Sequence, residues 1–321
     1  MQRPEARLSG GPAAPKLARP ADLRHMGAMA NAAPDQAAGP ALDHLVLPTA
    51  SLEAARGRLG ALGLTVAPTG VHPFGTANGC VYLADGTFLE PLAVADAAAC
   101  AEAAASGNVF VARDRAFRSA GRDEGFSAIV LASADAEADH ARFVGAGLSA
   151  GDLLSFSRPF VDASGRSDTA SFKLAFAAAA GTIPFVFSCQ RLNAPSVDRS
   201  ALQRHANGAT RLLSVTVAAA DPAAASRFMA TVTGIDGAAS GPATRFRLTN
   251  ADILVRPALP DAGPPPPGLF DFRAVTFAVR DLSDTRQVLA ANGIDFEIAD
   301  HRITVPPAPG QGATFIFEER A

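Results

Sequence analysis

Four times along the chain a strand-length apolar run is followed by a polar or proline-marked turn, an amphipathic helix, and a glycine ahead of an aliphatic residue. The stretches are LDHLVLPTASLEAARGRLGALGL from Leu42, FSAIVLASADAEADHARFVGAGL from Phe126, LLSVTVAAADPAAASRFMATVTGI from Leu212 and FRAVTFAVRDLSDTRQVLAANGI from Phe272. Registered on their first strands, they bring Leu64, Leu148, Ile235 and Ile294 to equivalent places, with one residue inserted in the third. Self-similarity of this kind marks an internal repeat. Each helix has a physical start and stop. In the third unit Asp221 can cap and Pro222 sits at the first helical position, where its missing N–H costs nothing. Gly63, Gly147, Gly234 and Gly293 can close the last turns in a left-handed conformation. Leu52, Ala55, Leu59 and Leu62 share one helical face, as a helix covering a sheet requires.

Strand-and-turn sequence follows every helix, so each unit reads as β-α-β-β-β and the chain as α+β. Asp85-Gly86 predicts a two-residue type I′ hairpin. That hairpin pairs Leu83 with Phe88 and Val81 with Glu90, placing Glu90 on the face of Phe88, Leu83 and Val81 rather than with Tyr82 and Leu89. Residues 94–124 read as an Ala-rich helical connection with a short strand around Val109–Ala112. Residues 191–211 join the second and third units, and 258–269 (LPDAGPPPPGLF) form a stiff connector between the third and fourth. Two domains result, 39–195 and 196–321, preceded by a tail, 1–38, read as disordered.

Composition narrows the function classes. With 48% hydrophobic and 18% charged residues the 321-residue chain is globular. A net charge of -3 gives no reason to expect nucleic acid or an anionic membrane as partner. Three cysteines without CxxC spacing suggest neither a disulfide framework nor a zinc knuckle, and a cytoplasmic location is expected. The longest apolar run, Leu174–Cys189, is too short for a bilayer. No Walker loop, GxGxxG after a strand or GxSxG is present.

Four tandem βαβββ units resemble the vicinal oxygen chelate (VOC) superfamily, which includes glyoxalase I, extradiol dioxygenases and bleomycin-resistance proteins. Residues 42–94 are similar to the glyoxalase-like domain in particular: His44 follows the opening LD, HPFGTAN carries an H-P-x-x-G-T-x-N loop, and a YLE-type strand closes the unit. IPFVFSCQRLNAPSVDRSALQRHANGAT, with its H-x-N-G turn at His205–Gly208, also resembles that family. The resemblance implies two VOC-type domains, in each of which two units pair into a cup, with a His or Glu ligand from the first and last strand of each unit. Carried over, it implies His44 and Glu90 as ligands of a divalent ion such as Zn, Ni, Mn or Fe. The second unit departs from the pattern: Ala128 stands at the His44 position, and its closing strand offers Cys189 or Gln190 but no carboxylate. The third and fourth units place Ser214 and Ala274 there.

One His and one Glu are too few for a divalent site. His72, Cys189, Gln190, water or the substrate's own oxygens would have to complete it. Glu90 and His72 are the candidate catalytic groups, and Arg158, Asn78 and Thr76 the candidate substrate-binding groups. Asn78 and Thr76 serve equally to fix the loop, and Arg158 serves equally as a plain ion-pair partner for Glu90. His205 reads as structural, His140 and His301 as surface, and Phe156, Phe160 and Phe172 as core rather than cup wall. The functional expectation is a metal-assisted lyase, isomerase or oxygenase acting on a small molecule with vicinal oxygens. The alternative is binding without chemistry; a third reading gives the ligand-poor second domain a structural role, residues 209–318 stabilising the first or forming a homodimer contact.

Overall fold

A computed structural model describes residues 39–161, 167–258 and 268–320, without the side chains of Phe160 and Val161. The expected tail, most of the proline-rich connector and the Phe160 side chain lie outside the described residues. The described residues form one compact unit.

The fold is α+β, with four βαβββ modules in tandem giving two VOC-type sheets. The first module runs β1 (Leu42–Pro48), α1 (Leu52–Ala61), β2 (Gly70–Val71), β3 (Thr76–Asn78), a two-residue β4 (Val81–Tyr82) and β5 (Phe88–Val94). Two helices follow, α2 (Ala97–Ala105) and α3 (Val109–Ser119). The second module is β6 (Ala128–Ser133), α4 (Ala136–Gly145), β7 (Leu154–Val161), β8 (Ser167–Ala177) and β9 (Phe185–Asn193). The third is β10 (Ala209–Ala219), α5 (Pro222–Thr233), β11 (Ala238–Ser240), β12 (Ala243–Arg247) and β13 (Asp252–Pro257). The fourth is β14 (Phe270–Val279), α6 (Leu282–Ala291), β15 (Glu297–Ala299), β16 (Arg302–Val305) and β17 (Thr314–Glu319).

Asp221 caps α5 as the sequence predicts, and the other three modules use a residue of the same kind. Ser51, Asp135, Asp221 and Asp281 each accept from a backbone N–H of the first turn, and the four predicted glycines all have positive φ. Val109–Ala112 is a correction: it opens a helix, not a strand. Gly107 at φ 87 ends α2, and Asn108 accepts from the Val111 N–H to start α3. These caps and the burial of Val109, Phe110, Val111 and Phe117 outweigh the local β-preference of two valines.

The first sheet has the order β2-β3-β5-β1-β6-β9-β8-β7 and the second β11-β12-β13-β10-β14-β17-β16-β15. In each, the opening strands of two modules pair antiparallel at the centre. His44 lies opposite Val130 and Val46 opposite Ala128; Ser214 lies opposite Thr276 and Thr216 opposite Ala274. The helix-covered faces of both sheets merge into a single hydrophobic core, with Leu45, Leu59, Phe126 and Phe143 from one and Val215, Phe277, Leu289 and Phe315 from the other. The opposite face of the first sheet builds a separate core against α2 and α3 from Val46, Leu92, Val130 and Phe187 with Cys100 and Phe110. His205 is structural as expected: its Nδ1 accepts from Thr65 N at 3.0 Å and its Nε2 donates to the Tyr82 carbonyl at 3.0 Å.

Candidate functional site

Between the first sheet, the loop that carries Phe74 and the start of α3 lies a cavity of about 70 Å³, room for a few waters or a small organic molecule. Six phenylalanines line it (Phe74, Phe88, Phe110, Phe156, Phe172 and Phe187), so two of the three expected core rings, Phe156 and Phe172, are cavity wall instead. His44, His72, Asn78, Glu90 and Arg158 supply its polar groups, together with Cys80, Tyr82 and Cys189.

Glu90 reaches this face by a route that differs from the predicted hairpin. Tyr82 pairs with Phe88 and Val81 with Leu89, one residue out of the expected register. The turn is a longer one: Leu83 N–H donates to the Thr87 carbonyl, Asp85 accepts from both Thr87 N–H and its hydroxyl, and only Gly86 takes positive φ. A one-residue slip exchanges faces. Val81, Leu83 and Leu89 therefore enter the shared core, while Tyr82, Phe88 and Glu90 face the cavity.

The buried carboxylate of Glu90 sits between two imidazoles. His44 Nε2 is 3.3 Å from Oε2, and His72 Nε2 is 3.6 Å from Oε1. Asn78 Nδ2 donates to Oε1 at 2.7 Å and lies 3.4 Å from His72 Nε2. His44 Nδ1 is 2.6 Å from Asp43 Oδ1, which Arg191 also holds at 2.8 Å. The chain Arg191–Asp43–His44–Glu90 thus alternates in charge from the surface inward. Burial opposes the charge on His44, but hydrogen bonds to Asp43 and Glu90 outweigh it and raise its pKa. Burial likewise opposes ionisation of Glu90, yet His44, His72 and Asn78 bring it down to about 2. His72 behaves oppositely: burial dominates and lowers it to about 4, despite Glu90 and helped by Arg158. At neutral pH Glu90 is a carboxylate and His72 a neutral imidazole, while His44, with a carboxylate oxygen facing each ring nitrogen, is biased toward its charged form. His72 Nδ1 lies 2.9 Å from Thr76 Oγ1, which fits a proton on Nδ1 and a lone pair on the Nε2 that faces Asn78 and Glu90.

Local sequence explains how His72 is aimed. In HPFGT the His72 N–H donates to the Thr76 carbonyl at 2.8 Å, and Gly75 adopts φ 92. A Cβ on Gly75 would stand 2.6 Å from the Asp96 carbonyl oxygen and 2.8 Å from Cys100 N, so only glycine lets this loop dock on the start of α2. Thr76 is fully buried behind His72. It positions the ring and does not face the cavity, whereas Asn78 does.

Other expectations need correction. Arg158 makes no ion pair with Glu90, whose oxygens are taken by His44, His72 and Asn78. Gln190 turns away from the cavity, accepting from Ala136 N–H and donating to the Ala134 carbonyl. The registers of β1 with β5 and β6 with β9 make Phe187, not Cys189 or Gln190, the counterpart of Glu90: Val46 pairs with Glu90 as Val130 pairs with Phe187. Asp43 was missed because alternation sends neighbouring strand residues to opposite faces. A β-bulge between Leu42 and His44 lets it turn toward His44. The signal was there: an acid beside a histidine in an otherwise apolar strand.

The donor set was tested against a divalent ion. The positions across the central strand pair are Ala128 and Phe187, and the Phe187 ring meets His44 edge-on at 5.9 Å. His44 and His72 address different oxygens of Glu90. Among the described residues no group of three or more His, Cys, Asp or Glu is placed to hold a metal ion. The residues present do not fit a resident divalent ion, and His44 and Glu90 are not carried forward as its ligands.

No helix among the described residues is long and apolar enough to cross a membrane. Among curated proteins none matches the chain. Among solved structures, a hypothetical protein from Staphylococcus aureus aligns with a TM-score of 0.60 at 14% identity, covering 87% of this chain and 99% of that one. A mutant 4-hydroxymandelate synthase from Streptomyces coelicolor aligns with a TM-score of 0.58 at 13% identity, covering 88% and 93%. These likenesses show the fold. The profile of the Glyoxalase-like domain matches residues 42–233, which spans the whole first sheet, continues through α5 and takes in more than half of the sequence, so the chain belongs to the glyoxalase-like domain family of the VOC superfamily.

Proposed function

We propose that the first sheet's cavity is the active site of a small-molecule enzyme that moves a proton on a substrate with vicinal oxygens, as an isomerase or lyase does. The observation that carries this reading is the Glu90 carboxylate, buried and ionised, with His44, held between two carboxylates, on one side and a neutral imidazole on the other. Glu90 takes a proton from the carbon beside a carbonyl. The C–H electron pair forms the new C=C bond while the carbonyl π pair moves onto oxygen, where His44 Nε2–H donates to the developing enolate. To complete an isomerisation, His44 Nε2 gives its proton to the enolate oxygen and takes the proton of the neighbouring hydroxyl. That O–H pair becomes the new C=O bond as the C=C pair takes the proton back from Glu90 at the former carbonyl carbon. Asn78 keeps the carboxylate in place, His72 lies against the same Asn78 amide, and the phenyl rings wall the cavity. No step is routed through a divalent ion, because the donor set does not fit one.

The test is proton exchange in D₂O on a panel of 2-hydroxy ketones and 2-oxo acids, followed by loss of the α-proton NMR signal. Exchange should occur with the wild type, be indifferent to EDTA, and fall by roughly a hundredfold or more in Glu90→Gln, the scale of a lost general base. Absence of exchange across the panel, or equal exchange in the variant, refutes the reading. Phe187 at the counterpart of Glu90 favours a second reading, binding without chemistry, for which tight binding without exchange is the expected result.

A further inference from the structure

Arg158 is the charged group of the lining that the proton-transfer scheme leaves unused. It lies on β7 two residues after Phe156, so both face the cavity, and it stands opposite Ala170 on β8. Half-buried, it has no hydrogen bond or ion pair among the described residues. The other charges of the site are matched within it. Asp43 is held by Arg191 at 2.8 Å and His44 at 2.6 Å, and Glu90 by His44 at 3.3 Å. Among the described residues this guanidinium with its five N–H donors therefore has no acceptor at the cavity, and a partly desolvated cation without an acceptor is costly unless something supplies one.

We infer that the ligand of this cavity is a small organic monoanion, with a carboxylate or similar oxyanion on Arg158 and a flat apolar body against Phe156, Phe172 and Phe74. A carboxylate matches the guanidinium fork in two parallel hydrogen bonds. The rings form one continuous aromatic wall: Phe156 and Phe172 stack at 5.1 Å, and Phe74 meets Phe156 edge-on at 5.3 Å. A third residue sets the position of the cation. A Cβ built on Gly70 would stand 2.6 Å from Arg158 Nη1 and 2.6 Å from Asn78 Oδ1. Gly70 thus leaves the space in which the guanidinium rests beside the Asn78 amide. The inference rests on the cavity being a small-molecule site, not on any proton transfer there.

The test is calorimetric titration of the full chain with benzoate, phenylacetate and 4-hydroxybenzoate. Benzamide serves as the uncharged analogue, acetate as the anion without a ring, and inorganic phosphate as the alternative oxyanion. At least one aryl carboxylate should bind saturably, and its amide and acetate should bind at least about tenfold more weakly, the scale of a lost charge-assisted hydrogen bond. Arg158→Gln should weaken the carboxylate by roughly the same factor and leave benzamide unchanged. Gly70→Ala, which keeps the Arg158 charge but crowds its head and the Asn78 amide, should weaken the carboxylate more than benzamide. No saturable carboxylate binding, equal binding of acid and amide, phosphate binding at least as well as the aryl acids, or an indifferent Arg158→Gln would each overturn the inference. Carboxylate binding without proton exchange in D₂O would sink only the proposed chemistry.

Discussion

Across the central strand pair of the first sheet, His44 and Val46 meet Val130 and Ala128; in the second, Ser214 and Thr216 meet Thr276 and Ala274. The closing strands repeat the match, so that Glu90, Phe187, Leu254 and Ile316 are counterparts in the four modules. Identical wiring therefore carries one ionic module, one aromatic module and two with neither an acid nor a histidine at these positions. The larger difference lies outside the strands. α2 and α3 cover the first sheet's inner face, tied down by Arg118, which donates to the Thr49 and Leu92 carbonyls at 3.0 Å each. Among the described residues the second sheet has no counterpart of these helices, and Leu254 and Ile316 remain half-buried. A curved sheet becomes a site when something closes it and leaves charged groups inside, because only a desolvated pair keeps its electrostatic strength.

The strongest way to break this comparison is to separate the sheets. Their helix-covered faces share one core, so residues 39–195 expressed alone would expose Phe126, Phe143 and their neighbours. That fragment is expected to show no cooperative thermal transition by circular dichroism. A sharp melt close to that of the full chain would mean that the second sheet is dispensable. Next in size is Glu90→Leu, which gives the first module the third module's residue. It leaves the buried His44 imidazolium without its inner partner, a change that costs about 3 kcal/mol when a buried pair is broken from one side. Denaturant unfolding should show the loss, and a change below about 0.5 kcal/mol, the range of ordinary surface substitutions, would mean the pair is not closed.

Much of the fold was legible because it rests on local chemistry repeated four times: caps, positive-φ glycines and strand-helix alternation in a fixed order. His44, His72, Asn78 and Glu90 were legible as a group for the same reason, lying on one module whose loop has a recognisable form. What failed was non-local or a matter of a single residue. The Asp85-Gly86 turn was read from its two central residues, yet Asp85 binding Thr87 lengthens it and shifts the register. Alternation hid Asp43, because a bulge is invisible to period-two counting. Phe187 could be matched to Glu90 only through strand register. The covering role of α3 was lost when Val109 and Val111 were read as strand, since nothing local states that a sheet face waits to be covered.

A smaller effect is written in the pH dependence of stability. His72 is held at about 4 against an ordinary 6.5, so between those values the unfolded chain binds a proton that the folded chain refuses. Its contribution is complete above pH 6.5 and is lost as pH falls toward 4. His44, raised above 6.5, has the opposite sign: its contribution is full below 6.5 and fades as pH climbs through the raised value. Glu90, lowered from 4.5 to about 2, adds stability present above 4.5 and lost toward 2. Stability should peak near pH 6.5, with the acid side flattened in His72→Gln and the alkaline side flattened in His44→Gln. The described part of the second sheet holds one histidine, the exposed His301, so slopes that survive both substitutions would place the titration elsewhere.

The smallest expected change belongs to the substitution that looks most drastic. His44→Ala combined with Glu90→Leu removes the cavity's innermost ion pair and gives the first module the apolar inner face that its relatives carry. Asp43 keeps Arg191 at 2.8 Å, so no buried charge loses its last partner. Truncating the imidazole removes its stack on Phe88 at 4.3 Å and leaves a small void, while the added leucine recovers apolar contact. The double variant should therefore be more stable than Glu90→Leu alone by about 1–2 kcal/mol, a coupling within the range seen for residues in direct contact. Additive losses would show instead that His44 is held by Asp43 and the phenyl rings without help from Glu90. In that case the first module's difference from the other three would lie in its covering helices and not in its charges.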